Sequence, residues 1–234
     1  GITLRDETEE WTTQILTGPR AREILAAVSD GDLTKGWLSH QNAAIAGRQV
    51  WLARVSFAGE LGWEIHSRVG DTAVVWDAVL AVGAPLGLRP FGMFALNSLR
   101  IEKGYRAWKG DLSTDYTVLQ GGLERFVDWA KPEFRGRAAL AAEKQAGASK
   151  SFCTLVIEAG DFDPPYMSTI WHEGRVVGEL TSGYYGHRVG ACIGLGRLRA
   201  DLNLAGANVQ VEIFGRLYPA VVQADAPLWD AKNE

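Results

Sequence analysis

Two stretches of this 234-residue chain gather the side chains from which chemistry could be built. In the first, Arg54-Val-Ser-Phe-Ala-Gly-Glu-Leu-Gly-Trp-Glu-Ile65, the glycines Gly59 and Gly62 shape a turn and the chain returns as a strand carrying Glu64. Side chains alternate across a strand, so Trp63 and Ile65 share one face while Glu64 and His66 share the other. If that second face lines a cavity, Glu64 is an acceptor-only carboxylate beside aromatic Phe57, suited to gripping a planar pair of N–H donors such as those of an aminopyrimidine ring. A solvated strand glutamate fits the same pattern, because glutamate is mostly exposed. The second stretch, Ser98 to Asp111, interleaves Arg100, Lys103, Arg106 and Lys109 with Tyr105 and Trp108. That mixture occurs both at ligand mouths and at ordinary helix ends.

Other motifs exclude chemistry rather than suggest it. There is no GxxxxGK[ST] loop, and Gly194-Leu-Gly196 lacks the third glycine of a dinucleotide loop, so it reads as a strand bend. His40, His66, His172 and His187 are scattered, with no HExxH and no cysteine pairing, and no metal site is expected. Thr181-Ser-Gly-Tyr-Tyr-Gly186 does not match the GxSxG elbow, which leaves no catalytic nucleophile to assign.

The elements that must position these residues are legible from periodicity. Thr3-Leu4 and Ile15-Leu16 read as strand ends around an acidic segment. Pro19 suits a first helical turn, followed by Ala21, Ile24, Leu25 and Val28 on one helical face. Arg48–Ser56 and Gly62–His66 read as the strands of a hairpin. Asp71 is placed to cap a helix with Val75, Val79 and Val82 on one face and Gly83 at its end; a second helix follows Pro90 and stops at Gly104. After a helix-like Arg137–Lys144 segment, the small polar stretch Lys144–Ser151 reads as a linker. Beyond it strands follow one another, with tight turns at Glu173-Gly174 and Phe214-Gly215. The fold class is therefore α+β, a mixed portion over residues 1–147 followed by a small β-barrel or sandwich over 148–234.

Composition bounds the function classes. A net charge of −4 and the lack of clustered Lys/Arg argue against nucleic acid as the main partner. Apolar runs such as Ala78 to Leu88 fall short of the ~20 residues of a membrane helix, so no membrane partner is expected. Cys153 and Cys192 form no CxxC, and read as buried small hydrophobes of a protein in a reducing cytoplasm. The chain opens on Gly1, and its methionines are Met93 and Met167, which suggests a processed start or a piece of a longer polypeptide.

Taken together, the two stretches resemble the folate-dependent aminomethyltransferase family, typified by the T protein of the glycine cleavage system. The family's pterin-site motif, Tyr-Thr-Gly-Glu-x-Gly-x-Glu-Ile, is matched by Phe57-Ala-Gly-Glu-Leu-Gly-Trp-Glu64-Ile. Ser98 to Val127 looks closest to the branch fused behind flavin domains, the dimethylglycine and sarcosine dehydrogenases. Thr181 to Leu198 and Ala226 to Asp230 are similar to that family's C-terminal barrel.

The resemblance implies a barrel rather than a sandwich, tetrahydrofolate as cofactor, and FAD only in an upstream domain. It implies Glu64 holding the pterin amino and ring N–H groups, with Phe57 at the motif's tyrosine position. Tyr105 and Trp108 are further cofactor-binding candidates, and Arg216 corresponds to a folate-tail arginine. Leu96 stands where the glycine cleavage branch carries a ligand-binding arginine, so that charge is not carried over. The family segment holding an aspartate that orients the folate amine precedes the region matched here. The function implied is the folate-binding part of a flavin-dependent demethylating enzyme, taking a one-carbon unit from an N-methyl amine such as dimethylglycine or sarcosine and inactive as a fragment. Its further partner is then the upstream part of the same polypeptide, or another copy. A free-standing aminomethyltransferase or demethylase and a non-catalytic folate-binding protein are the alternatives.

Overall fold

The computed structural model describes residues 1–160 and 162–230, which pack as two compact units, 1–96 and 97–230. The last residues of the expected second domain, 231–234, lie outside the described part. The division between packing units falls at Leu96/Asn97, inside one helix, whereas the change from mixed to all-strand structure falls between Arg137–Ala146 and Lys150–Ile157.

The first unit is a four-stranded antiparallel sheet with helices on one face. Its strands are β1 (Trp11–Thr17), β2 (His40–Ile45), β3 (Arg48–Ala53) and β4 (Gly62–Arg68), in the order β1-β4-β3-β2. The expected β3–β4 hairpin is present, with Val50 opposite Ser67 and Ala53 opposite Glu64. Helices α1 (Ala21–Val28) and α2 (Thr72–Gly83) pack on the face carrying Leu16, Val50, Leu52, Trp63 and Ile65, and bury it together with Ile24, Leu25, Val75 and Val79. Removing that apolar surface from water is the main stabilising force of the unit.

Two local expectations are corrected here. Thr3-Leu4 forms no strand: Ile2 and Leu4 stand almost fully exposed with no apolar partner to bury them. Gly83 ends α2 as expected, buried where a methyl group would collide with Leu88; a short 3₁₀ turn, Ala84–Leu86, then carries the chain to left-handed Gly87, φ 87°. Asp71 occupies the cap position of α2 without donating or accepting a cap bond, and its carboxylate lies 3.5 Å from Arg48 Nε instead.

The continuous helical stretch Val69–Leu86 has 18 residues and a mean hydropathy of 1.4, enough by length and composition to cross a membrane, whereas here its Val75 and Val79 are core residues of this unit. Strand β1 is a sheet edge. Beside it lies a cavity of about 440 Å³ lined by Ile15, Leu16, Trp76, Leu88, Phe91 and Met93, among others.

The second unit begins with the C-terminal half of α3 (Met93–Glu102), continues through a long loop to α4 (Arg137–Ala146), and ends in a closed six-stranded barrel. The barrel strands are β5 (Lys150–Ile157), β6 (Thr169–His172), β7 (Arg175–Gly186), β8 (Ala191–Arg199), β9 (Asn208–Ile213) and β10 (Arg216–Gln223), in the order β10-β5-β8-β7-β6-β9. Closure abolishes free edges, which settles barrel over sandwich. Leu155, Ile170, Leu180, Leu198 and Val211 fill the interior. The tight turns at Glu173-Gly174 and Phe214-Gly215 are present, each with two positive φ values. Strand β8 runs unbroken through Gly194 and Gly196, and Gly196 lets β7 approach at its bulge between Leu180 and Ser182, where a methyl group would strike the Glu179 carbonyl.

A buried polar cluster joins the end of α3 to the barrel. Asp111 Oδ2 accepts from Arg100 Nη1 at 2.8 Å and from the Ala107 amide at 2.7 Å. Its Oδ1 accepts from Thr181 Oγ1 at 2.6 Å and Ser182 Oγ at 2.8 Å. Arg100 Nη2 donates to Ser182 Oγ at 2.7 Å, and Arg197 donates to the Asp111 carbonyl. Both charged side chains are sealed from water, 2% exposed at Arg100 and 0% at Asp111. Removing one partner leaves the other charge buried and uncompensated. Asp111→Ala should therefore lower unfolding stability by about 3–5 kcal/mol, read from urea unfolding followed by far-UV circular dichroism; a loss below ~1 kcal/mol would mean that the pair is not structural.

Candidate functional site

Strand β4 lies between β1 and β3, and the pairing register decides what surrounds each of its side chains. On the open face, opposite the helices, Glu64 sits level with Ile15 of β1 and Ala53 of β3, while His66 sits level with Thr13 and Trp51. Neither Ile15 nor Ala53 offers a side-chain donor. Among the described residues the Glu64 carboxylate accepts no hydrogen bond and has one ionisable contact, His66 Nε2 at 3.2 Å from Oε2. Its side chain is 30% exposed, so acceptor oxygens reach the surface within a frame fixed by the buried Trp63 and Ile65 on either side. Chemically this is a positioned acceptor for a pair of N–H donors.

His66 closes a chain of contacts along the same face. Its Nδ1 lies 2.9 Å from Thr13 Oγ1 and its ring centroid 4.7 Å from that of Trp51, whose Nε1 in turn donates to His40 Nδ1 at 3.2 Å. Two arginines, Arg54 and Arg22, serve the opposite face. The Arg54 guanidinium stacks 4.6 Å from the Trp63 ring centroid and Arg22 lies 5.3 Å from it. Burial, followed by the neighbouring Arg22 charge, pushes the Arg54 pKa below the ordinary arginine value. The turn joining β3 to β4 is fixed by Ser56 Oγ accepting from the Glu60 amide at 3.2 Å and by Gly59 at φ 77°, and holds Phe57 half-buried.

The expected site residues thus fall as follows. Glu64 and Phe57 belong to the first unit; Tyr105, Trp108 and Arg216 belong to the second. Glu64 projects from the open sheet face and does not line the cavity beside β1. In the second unit, Tyr105 is half-buried and its carbonyl accepts from Arg100 Nη1 at 2.9 Å, whereas Trp108 is 67% exposed. Arg216 opens β10 on the surface, its guanidinium 5.6 Å from the Tyr218 ring centroid. Most of the basic residues of Ser98–Asp111 are consumed internally: Arg100 by Asp111, Lys103 by Asp230 at 3.1 Å and Arg106 by Asp225 at 3.0 Å. Three of the four basic side chains of that stretch thus have acidic partners within the second unit. Nothing in the sequence alone marks His66, Thr13 and Trp51 as site residues. Alternation placed His66 beside Glu64, but the register that brings in β1 and β3 has no local sequence signal.

Comparison with known proteins agrees with this architecture. The GCVT N-terminal domain family matches residues 1–131, and the glycine cleavage T-protein C-terminal barrel domain matches residues 150–230. The chain belongs to this aminomethyltransferase family. It is 33% identical over 225 residues to human mitochondrial dimethylglycine dehydrogenase, an alignment covering 94% of this chain and 26% of the relative. It is 37% identical to mouse mitochondrial sarcosine dehydrogenase (99% and 26% covered) and 35% identical to the aminomethyltransferase of Frankia alni (95% and 60% covered). The crystal structure of glycine cleavage system aminomethyltransferase T from Bartonella henselae shares the fold, with a TM-score of 0.80 at 22% identity, over 92% of this chain and 58% of that one. The chain thus spans about a quarter of the two dehydrogenases and three-fifths of the Frankia protein.

Neither cysteine takes part in chemistry at the site. Both are free and buried, and burial pushes both thiols up to about 12, reinforced at Cys153 by Glu179 and at Cys192 by Asp163. A thiol so far above neutrality is a poor nucleophile. Ellman's reagent at pH 8 should label neither in the folded protein and both after denaturation; rapid labelling of a native thiol would refute this.

Proposed function

We propose that the open face of the first unit binds the pterin of tetrahydrofolate through Glu64, and that the chain is the folate-binding part of a one-carbon transfer enzyme. The observation that carries the reading is the Glu64 carboxylate: framed by buried neighbours, flanked by Ile15 and Ala53, and accepting no hydrogen bond within the described protein. A pterin presents an amino group and a ring N–H in one plane, which that carboxylate can accept with both oxygens, each such bond contributing about 1.5–3 kcal/mol. Phe57 offers a ring for stacking, having no hydroxyl to add a hydrogen bond.

Tetrahydrofolate supplies the amines that capture a one-carbon unit. The part of this chain is to bind and orient the pterin, and productive orientation is itself a large fraction of rate enhancement. The likeness to dimethylglycine and sarcosine dehydrogenases supports an N-methyl amine as the source of that carbon and an FAD-bearing domain as the oxidant. We assign no reacting group to this chain, so transfer is a property of the larger enzyme. The unpaired edge of β1 and the apolar cavity beside it are where the additional polypeptide of such an enzyme, or a second copy of this chain, would find unsatisfied backbone and apolar surface to cover.

The test is calorimetric titration of 5-formyltetrahydrofolate into this chain, into the longest polypeptide its gene encodes, and into each with Glu64→Gln. Gln exchanges one acceptor oxygen for a donor amide. The expected loss is about tenfold in affinity or more, equivalent to ~1.4 kcal/mol, with tighter binding in any longer polypeptide than in this chain alone. Equal affinity with and without the substitution would remove Glu64 from the pterin site. Alanine at Phe57, Tyr105, Trp108 and Arg216 in the same titration ranks the remaining candidates.

A further inference from the structure

We propose that Arg22 and Arg54 form a carboxylate-binding site at the rim of the first unit's core, on the helix side of the sheet and apart from the Glu64 face. Arg22 stands in the first turn of α1, and Arg54 follows the end of β3. Both guanidiniums lie over one indole, that of Trp63, which the core holds at 2% exposure: Arg54 Cζ is 4.6 Å from the ring centroid and Arg22 Cζ 5.3 Å. The Trp37 ring, exposed to solvent, stands 6.0 Å from Arg54.

What sets these two cations apart is the lack of an acid. In the same unit Arg5 and Arg68 lie beside Glu10, Arg20 beside Glu23 and Arg48 beside Asp71, while Arg89 is an exposed surface residue. Among the described residues neither Arg22 nor Arg54 has a carboxylate within ion-pair distance. Arg54 makes one long contact to a protein acceptor, Nη1 to the Gly62 carbonyl at 3.5 Å, and its Nε is buried without a hydrogen bond.

Stacking on Trp63 covers the face of a guanidinium, but its N–H groups point outward in the plane and are left to be satisfied. The aromatic contact therefore does not account for the pair. Two like charges at the edge of an apolar core also oppose each other, and burial together with the Arg22 charge holds the Arg54 pKa below the ordinary arginine value. Arginine keeps its proton at neutral pH, so this repulsion is relieved by an anion and not by deprotonation. A carboxylate supplies the charge, and its two oxygens match the forked donors of a guanidinium. It comes either from a small free acid or from an Asp or Glu side chain of polypeptide outside this chain.

The test follows the arginine Nε–H resonances by NMR while glutarate is titrated into this chain, with chloride exchanged out to hold the ionic strength constant. The signals missing from Arg54→Gln and from Arg22→Gln identify the two side chains. Both should move together and saturate with one midpoint in the millimolar range or below. In Arg22→Gln the Arg54 response should need about tenfold more glutarate or be lost. Arg54→Lys, which keeps the charge but not the fork, should weaken binding severalfold. The titration is then repeated on the longest polypeptide the gene encodes: a lost response there assigns the carboxylate to a side chain of that polypeptide, and a retained one assigns it to a free acid. A response in this chain that never saturates, and is no larger than chloride produces, would be screening alone and would overturn the proposal. An Arg54 titration unchanged in Arg22→Gln would overturn it too, because the two arginines would not act as one site.

Discussion

A β-strand has two faces, and in β4 one of them is fully committed. Trp63 and Ile65 are buried with α1, α2 and the facing residues of β1 and β3, so a one-residue slip of this central strand would expose both of them and bury Glu64 and His66. The cost of that slip, two large apolar side chains returned to water and a carboxylate forced into an apolar core, greatly exceeds any gain available to the two polar residues. Core packing thereby fixes the direction of Glu64 without any hydrogen bond to it. The carboxylate is confined to the open face and yet retains its accepting capacity, which a binding group requires and a structural glutamate ordinarily lacks.

The second unit shows the opposite use of charge. Arg100, Glu102, Lys103 and Asp111 are all buried, and their hydrogen-bonding groups are turned inward. Asp111 alone accepts from two side-chain hydroxyls, one guanidinium and one backbone amide, and Glu102 Oε1 accepts from the amides of Arg188 and Val189 at 2.7 and 3.1 Å. Such a network ties the end of α3 and the loop after it to β7 and β8 in one register, because each polar group is satisfied only in that arrangement. Charge in a cluster of basic and aromatic residues is thus no guide to ligand binding until its partners are known. Within that stretch Trp108 and Lys109 remain exposed.

Elements defined by their own periodicity were legible in the sequence: α1 from its apolar spacing, the β3–β4 hairpin, and the barrel strands from repeated short runs with two-residue turns. What escaped depended on distant partners. Gly83 does end α2, but its close contact with Leu88 is not visible in the sequence. The close approach of β7 at Gly196 is likewise invisible in the sequence, because it depends on a bulge in the partner strand. Strand β2, His40–Ile45, has little alternation to announce it and is defined by pairing with β3. The same limit applied at the site. Alternation put Glu64 and His66 on one face, but only the register shows that Glu64 is flanked by two side chains that cannot donate and His66 by two that hold it.

The central claim is that Glu64 is a fixed, unsatisfied acceptor awaiting a planar donor pair, and the most direct measurement is a crystal structure of the protein with 5-formyltetrahydrofolate bound. The pterin amino nitrogen and its adjacent ring nitrogen should each lie about 2.7–2.9 Å from a Glu64 oxygen, with the Glu64 side chain in the same place as without ligand. A pterin seated elsewhere, with the Glu64 carboxylate left in solvent, would contradict the account.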